Sequence, residues 1–221
     1  MSNPIFISLG GHCEIAGSIQ MFGLREHALP FDYVRSSFEG VIECIQNDFT
    51  TFFPKTVRKE QIGVWTAFRG KNVGFFHHDL LNPEILNTFK RRIQRFGEIL
   101  YGKDKVIFVR SIASQHVKDE INLNKQFHDI MKIKYPHLEY ILCFVILNQK
   151  STRHVLTIDE STVVFTTVPH TTSDLSKIHV PVFRYLKLHH TRLPNLTLYD
   201  YSNIQNIDMR VEGVEPLDPD N

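Results

Sequence analysis

The 221-residue sequence predicts an α/β fold: a mainly parallel sheet flanked by helices in a Rossmann-like layered architecture, with a β-hairpin insertion and a β-rich C-terminal third. Three observations carry this. Between residues 105 and 147 the apolar pattern runs strand, helix, strand, the order of a crossover unit that lays strands parallel. The run "YILCFVIL", residues 140–147, is almost continuously apolar, as expected of a strand covered on both faces. "PIFISLGG", residues 4–11, is an apolar strand that ends in two glycines just before residues of helical spacing.

The elements follow in order. Ile15, Ala16, Ile19 and Phe22 share a helix face, and Gly23 is its natural stop. After the loop "LREHALPFDYVR", Ser36 and Glu39 have capping-box spacing ahead of an apolar stripe of Phe38, Val41, Ile42, Ile45 and Phe49. "VWTAFRGKNVGFFHHDL", residues 64–80, holds two β-prone runs around Gly70-Lys71-Asn72 and reads as a hairpin. The next helix has Asn82 as N-cap, Pro83 at its first position, Ile85, Leu86, Phe89, Ile93, Phe96 and Leu100 on one face, and Gly102 to close it. "KVIFVRSI" is a strand, and residues 118–134 form one helix with Ile121, Phe127, Ile130 and Met131 inward. Beyond residue 150 come short β-prone pieces, "HVLTI", "TVVFTTV", "VPVFRYL" and "LTLYDYS". Residues 1–210 are expected to form a single domain and the acidic, proline-bearing residues 211–221 a flexible tail.

Composition narrows the function classes. With 25 basic against 24 acidic side chains the formal net charge is +1, so no whole-protein field favours nucleic acid, and none is predicted as a partner. The apolar runs fall short of the roughly 18–20 residues that a spanning helix needs. "MSNPIF" lacks the basic and apolar regions of a signal peptide, so a cytoplasmic protein is expected, with no membrane span. The three cysteines, Cys13, Cys44 and Cys143, show no CxxC spacing, which predicts free thiols rather than a disulfide framework or a thiolate zinc site. No metal or other cofactor is expected, and the sequence does not specify an oligomeric state.

The three thiols differ in position. Cys143 lies inside the buried strand and Cys44 beside a core stripe, so packing explains both. Cys13 follows paired glycines at a helix N-terminus, where free N–H groups and the helix dipole favour a thiolate and could hold an oxyanion. A small buried hydrophobe at a tight turn is the competing structural reading. A thiol nucleophile needs a base, and the candidates are His12, His27 and the pair His77-His78. On a strand His77 and His78 would face opposite sides. To orient the histidine, Asp79 could serve if the strand has already ended, and Asp32 in "PFDY" is the favoured choice, with a turn or cap as its structural alternative. Lys90, Arg91, Arg92 and Arg95 read as a solvated helix face. Arg110 at a strand end and Arg35 are the candidates for gripping a carboxylate or phosphate.

"ISLGGHCEIAGSIQMFGLREHALPFDYVRSSFEG" resembles the opening of a family, formerly a domain of unknown function, to which a papain-like cysteine peptidase activity is ascribed. Its members begin with a strand, "LG", a cysteine two residues later and a "GLR…PFDW" segment. "FFHHDLLN", "FKRRIQRF" and "VIFVR" match its later blocks, so the likeness is good over residues 5–111 and looser beyond. By matching motif the resemblance implies Cys13 as nucleophile and His78, of the HD pair, as base. Tyr33 stands where the family's tryptophan is usual, and Gly11-His12 where other small or polar residues are common.

The leading expectation is therefore a thiol-dependent hydrolase, peptidase-like, acting on a peptide or other acyl substrate. Cys13 attacks the acyl carbon, His78 carries the proton, and backbone around Gly10, Gly11 and His12 holds the oxyanion. The alternative is a non-proteolytic Rossmann-like domain whose "LGGHC" turn cradles the phosphate of a nucleotide or sugar ligand while Arg110 neutralises it. An interaction protein without chemistry is the third reading.

Overall fold

The computed structural model describes residues 3–53, 58–62, 65–70, 73–112, 117–147, 153–167 and 175–189. The chain runs β1 (Ile5–Ser8), α1 (Glu14–Met21), β2 (Arg35–Ser36), α2 (Phe38–Gln46), β3 (Arg58–Ile62), β4 (Trp65–Arg69), β5 (Val73–Phe75), α3 (Pro83–Leu100), β6 (Val106–Ile112), α4 (Val117–Asn122), α5 (Asn124–Lys134), β7 (Tyr140–Ile146), β8 (Arg153–Asp159), β9 (Thr162–Thr166) and α6 (Leu175–His189). The main sheet has the order β1-β6-β7-β9-β8, with the first four strands parallel and β8 antiparallel to β9. A small antiparallel sheet has the order β2-β5-β4-β3. The fold is α/β, with a mainly parallel sheet flanked by helices.

Side-chain alternation along the strands divides the core in two. Val106, Phe108, Leu142, Phe144 and Ile146 pack on one face with Phe38, Val41 and Ile45 of α2, Phe89 and Phe96 of α3, and Phe127 and Met131 of α5. Ile107, Val109, Ile141, Cys143 and Val145 pack on the other with Ile15 and Ile19 of α1 and Val182, Phe183 and Leu186 of α6. Every residue of β6 is buried, which is why its sequence shows no polar alternation.

Most expected elements form, with physical reasons for those that differ. Asn82 caps α3 by accepting from the Glu84 N–H at 2.9 Å, with Pro83 opening the helix. The cap of α2 is Ser37, whose hydroxyl accepts from Gly40 N at 3.0 Å. Ser36, expected there, belongs to β2 and turns its hydroxyl toward the end of β1. The hairpin pairs Phe68 with Phe75 and Arg69 with Gly74, and β3 and β2 extend it into four strands. The single helix expected over 118–134 is interrupted at Leu123. "VPVFRYL" is not a strand piece but lies within α6: Val182, Phe183 and Leu186 recur at helical spacing, and their packing against α1 outweighs the β-prone valines and Pro181. "LTLYDYS" and residues 211–221 lie outside the described residues.

At the N-terminal ends of β7 and β9 a polar network ties α5 to the sheet. His128 Nδ1 is 2.6 Å from Tyr140 Oη and its Nε2 is 2.7 Å from Thr162 Oγ1. Asn124 donates to Asp159 at 2.7 Å, and the Thr162 hydroxyl lies within 2.9 Å of Asn124 Oδ1 and 3.1 Å of Asp159 Oδ2. Burial pulls the His128 pKa below its ordinary 6.5, although Asp159 and Asp129 act the other way. Because the folded pKa is depressed, the unfolded chain binds the proton more readily, so this group's stabilisation is present above pH 6.5 and fades as pH falls below it. We expect His128→Asn to lose part of the wild-type decline in stability below pH 6.5 in urea unfolding at stepped pH; parallel curves for the two proteins would refute the assignment.

Candidate active site

The site is built where β1 leaves the sheet. Parallel pairing with β6 continues past Ser8: Leu9 N–H donates to Val109 O at 2.9 Å, and Ser111 N–H donates to Gly10 O at 3.3 Å. Gly10 and Gly11 have φ values of +70° and +88°, in the left-handed region. A Cβ on Gly11 would stand 1.9 Å from the Ser111 carbonyl oxygen, and one on Gly10 would stand 2.5 Å from Ser36 Oγ. Two glycines are therefore needed to seat the turn on the end of β6. His12 and Cys13 complete the turn, with Cys13 at the N-cap position of α1.

Cys13 is part-exposed, and its Sγ lies 3.8 Å from His12 Nδ1. The same Nδ1 is 3.2 Å from Glu14 Oε2, and Glu14 Oε1 accepts from Ser111 Oγ at 3.3 Å. Burial opposes a charge on His12, yet the bonds to Cys13 and Glu14 and their negative charge prevail, raising its pKa to about 9. At neutral pH the imidazole is thus a cation wedged between a sulfur and a buried carboxylate. The other two thiols are buried: desolvation, with the Glu43 charge, pushes Cys44 up to about 12, and desolvation raises Cys143 as well.

His78, expected as base, sits elsewhere. β5 has ended at Phe75, and the imidazole packs edge-on against Phe89 at 5.0 Å. Desolvation, then the Arg92 and His77 charges, lower its pKa to about 4. Among the described residues the sulfur of Cys13 has His12 as its hydrogen-bonding partner, and neither His78 nor Asp32 nor Asp79 bonds to it. Asp32 is buried and accepts from Arg25 Nε at 3.1 Å, Arg25 Nη2 at 2.8 Å and Leu29 N at 2.9 Å; burial raises its pKa against the pull of these donors. Asp79 turns its carboxylate to the Leu81 N–H at 2.9 Å. His27 and His77 are exposed.

Arg110 is turned inward, away from any ligand. Arg110 is 1% exposed, and its guanidinium donates from Nε and Nη2 to Glu120 at 2.8 and 3.0 Å, from Nη1 to Leu9 O at 2.9 Å and from Nη2 to Ser36 O at 2.9 Å. Four of its five N–H groups are engaged within the protein and the side chain is buried, so Arg110 acts here as the brace behind the turn. Arg35 lies over the Phe76 ring at 5.0 Å. Glu14, Ser111 and Glu120 carry parts of this arrangement that the sequence reading did not single out; a glutamate next to the cysteine was the available signal.

Residues 5–150 match the family described as "Putative papain-like cysteine peptidase (DUF1796)". The chain is also similar to an uncharacterized protein, R408, of Acanthamoeba polyphaga mimivirus, at 44% identity over 140 residues, covering 50% of this chain and 63% of that protein. The chain thus spans less than two thirds of that relative's length. No solved structure matches.

Two outcomes test the geometry. Arg110→Met takes the guanidinium from Glu120 and from the Leu9 and Ser36 carbonyls, leaving Leu9 O only the Ser36 hydroxyl, and should lower stability by about 3–5 kcal/mol in urea unfolding, the range for breaking a buried pair; a loss below about 1 kcal/mol would contradict the bracing role. His12, with its raised folded pKa, should stabilise fully below pH 6.5 and lose this as pH rises through about 9, a trend that His12→Gln should remove.

Proposed function

The chain belongs to the family described as "Putative papain-like cysteine peptidase", and from that premise we propose a thiol-dependent acyl hydrolase whose machinery is contained in one tight turn. Cys13 is the nucleophile, His12 its proton partner and Glu14 the group that holds His12. The observation that carries this is the contact of Cys13 Sγ with His12 Nδ1 at 3.8 Å, with Glu14 on the same nitrogen at 3.2 Å.

The steps balance. Because His12 is already protonated at neutral pH, the Cys13 proton leaves to solvent and the thiolate stands beside the imidazolium, whose Nδ1–H is shared between sulfur and the Glu14 carboxylate. The thiolate adds to the acyl carbon, and N–H groups of the first turn of α1 steady the oxyanion. His12 then protonates the leaving nitrogen or oxygen as a thioester remains on Cys13. A water, deprotonated by the now neutral His12, adds to the thioester, releases the acid and restores the thiolate beside the imidazolium. The substrate class is a peptide or other acyl compound.

The phosphate-cradling alternative is weakened by Arg110, which is buried with four of its five N–H groups engaged by Glu120, Leu9 and Ser36, and by the Glu14 carboxylate at the turn.

Alkylation by iodoacetamide tests the assignment. Near pH 7, Cys13 should react faster than in His12→Gln by roughly tenfold or more, while His78→Ala should leave the rate unchanged. Equal rates in wild type and His12→Gln, or a loss with His78→Ala alone, would overturn the roles given to these histidines.

A further inference from the structure

Away from the thiol, Arg92 sits among the charges of Asp32, Arg25 and Arg95. Asp32 is already filled by Arg25 and the Leu29 N–H. Arg92 of α3 lies near enough for its charge to act on Asp32, and the Arg25 and Arg95 charges act on Arg92 in turn. Arg95 donates from Nη1 to Ala28 O at 2.9 Å, a neutral acceptor. Within this group the positive charges exceed the negative by two, from three arginines and one aspartate.

The imbalance falls on Arg92. Its guanidinium lies over the Phe89 ring at 4.8 Å, and its Nε and Nη1 are buried with no hydrogen-bond partner. His78 packs on the same ring at 5.0 Å, and its Nε2 is buried and likewise without a partner. A buried donor without an acceptor is destabilising, and more so when it is charged. Arg92 and His78 are nonetheless only part-buried as residues, and His78 stands in irregular chain after β5, so the group borders on solvent.

We propose that Arg92, with His78 and Arg95 beside it, forms a binding site for the phosphate group of a small ligand, distinct from the Cys13 turn and independent of the thiol chemistry. A phosphate monoester carries close to two negative charges at neutral pH and three strong acceptor oxygens, which match the charge excess and the donors left without acceptors. A carboxylate supplies half that charge.

Calorimetric titration of the intact chain at low salt tests this, with inorganic phosphate and acetate as probes. Saturable one-to-one uptake of phosphate, tighter than acetate, is expected. Arg92→Gln should weaken it by roughly tenfold or more. Arg91→Gln, which removes the same charge from an exposed arginine bonded to Thr88 Oγ1 at 2.9 Å on the same helix, should leave it unchanged. Where Arg92→Gln does not fold, by circular dichroism, Arg92→Lys keeps the charge without the guanidinium donors and should still weaken binding several-fold. No saturable uptake, equal losses in the Arg91 and Arg92 variants, or full affinity in Arg92→Lys would overturn the proposal. Cys13→Ser separates it from the catalytic reading: unchanged phosphate binding is expected, and its loss would place the anion at the turn instead and refute a second site.

Discussion

The candidate site depends on the buried guanidinium of Arg110. It leaves the middle of β6 and reaches the carbonyl at the end of β1, the carbonyl of Ser36 in β2, and both carboxylate oxygens of Glu120 in α4, while its face lies over Phe38 of α2 at 5.2 Å. A charge taken out of water must find a counter-charge and acceptors inside the protein, and that demand fixes the relative positions of these elements. The two-residue strand β2 at the edge of the small sheet is thereby pinned against the large one. The glycine turn, pressed between Ser36 and Ser111, inherits that position.

Much of the frame was legible because its signals are local. The alternation around β6 and β7, the Asn82-Pro83 opening of α3 and the strand-to-glycine exit of β1 follow from periodicity and capping chemistry. What escaped depends on tertiary context. In α6, β-branched residues and a proline point away from helix, and the contact of its apolar face with α1 decides otherwise. Ser36 and Ser37 both suit a cap on sequence, and the demand of the Leu9 carbonyl and Gly11 N–H for a hydroxyl sends Ser36 elsewhere.

At the site, position after two glycines distinguished Cys13 from the other thiols before any coordinates. Its neighbours were harder to read. Neighbours 13 and 14 would face opposite sides of a strand, and only the compact path of the turn brings both to bear on one nitrogen of His12. His78 and Asp32, which match family motifs, meet Arg92, Arg25 and Phe89 instead. The motif blocks thus converge on two places in the fold. The parallel sheet also means that the word papain describes the chemistry ascribed to the family, not the layering of this chain.

The division of the core has a consequence for how the protein comes apart. Cys44 is packed among the residues beneath α2, α3 and α5, while Cys143 faces the layer formed by α1 and α6. Each helical layer therefore hides its own sulfur beneath it, and Cys13 marks the rim between them. Should one layer peel from the sheet before the other, the thiol that first becomes available to a reagent names the layer that moved, giving the native chain an intrinsic record of which side yields first.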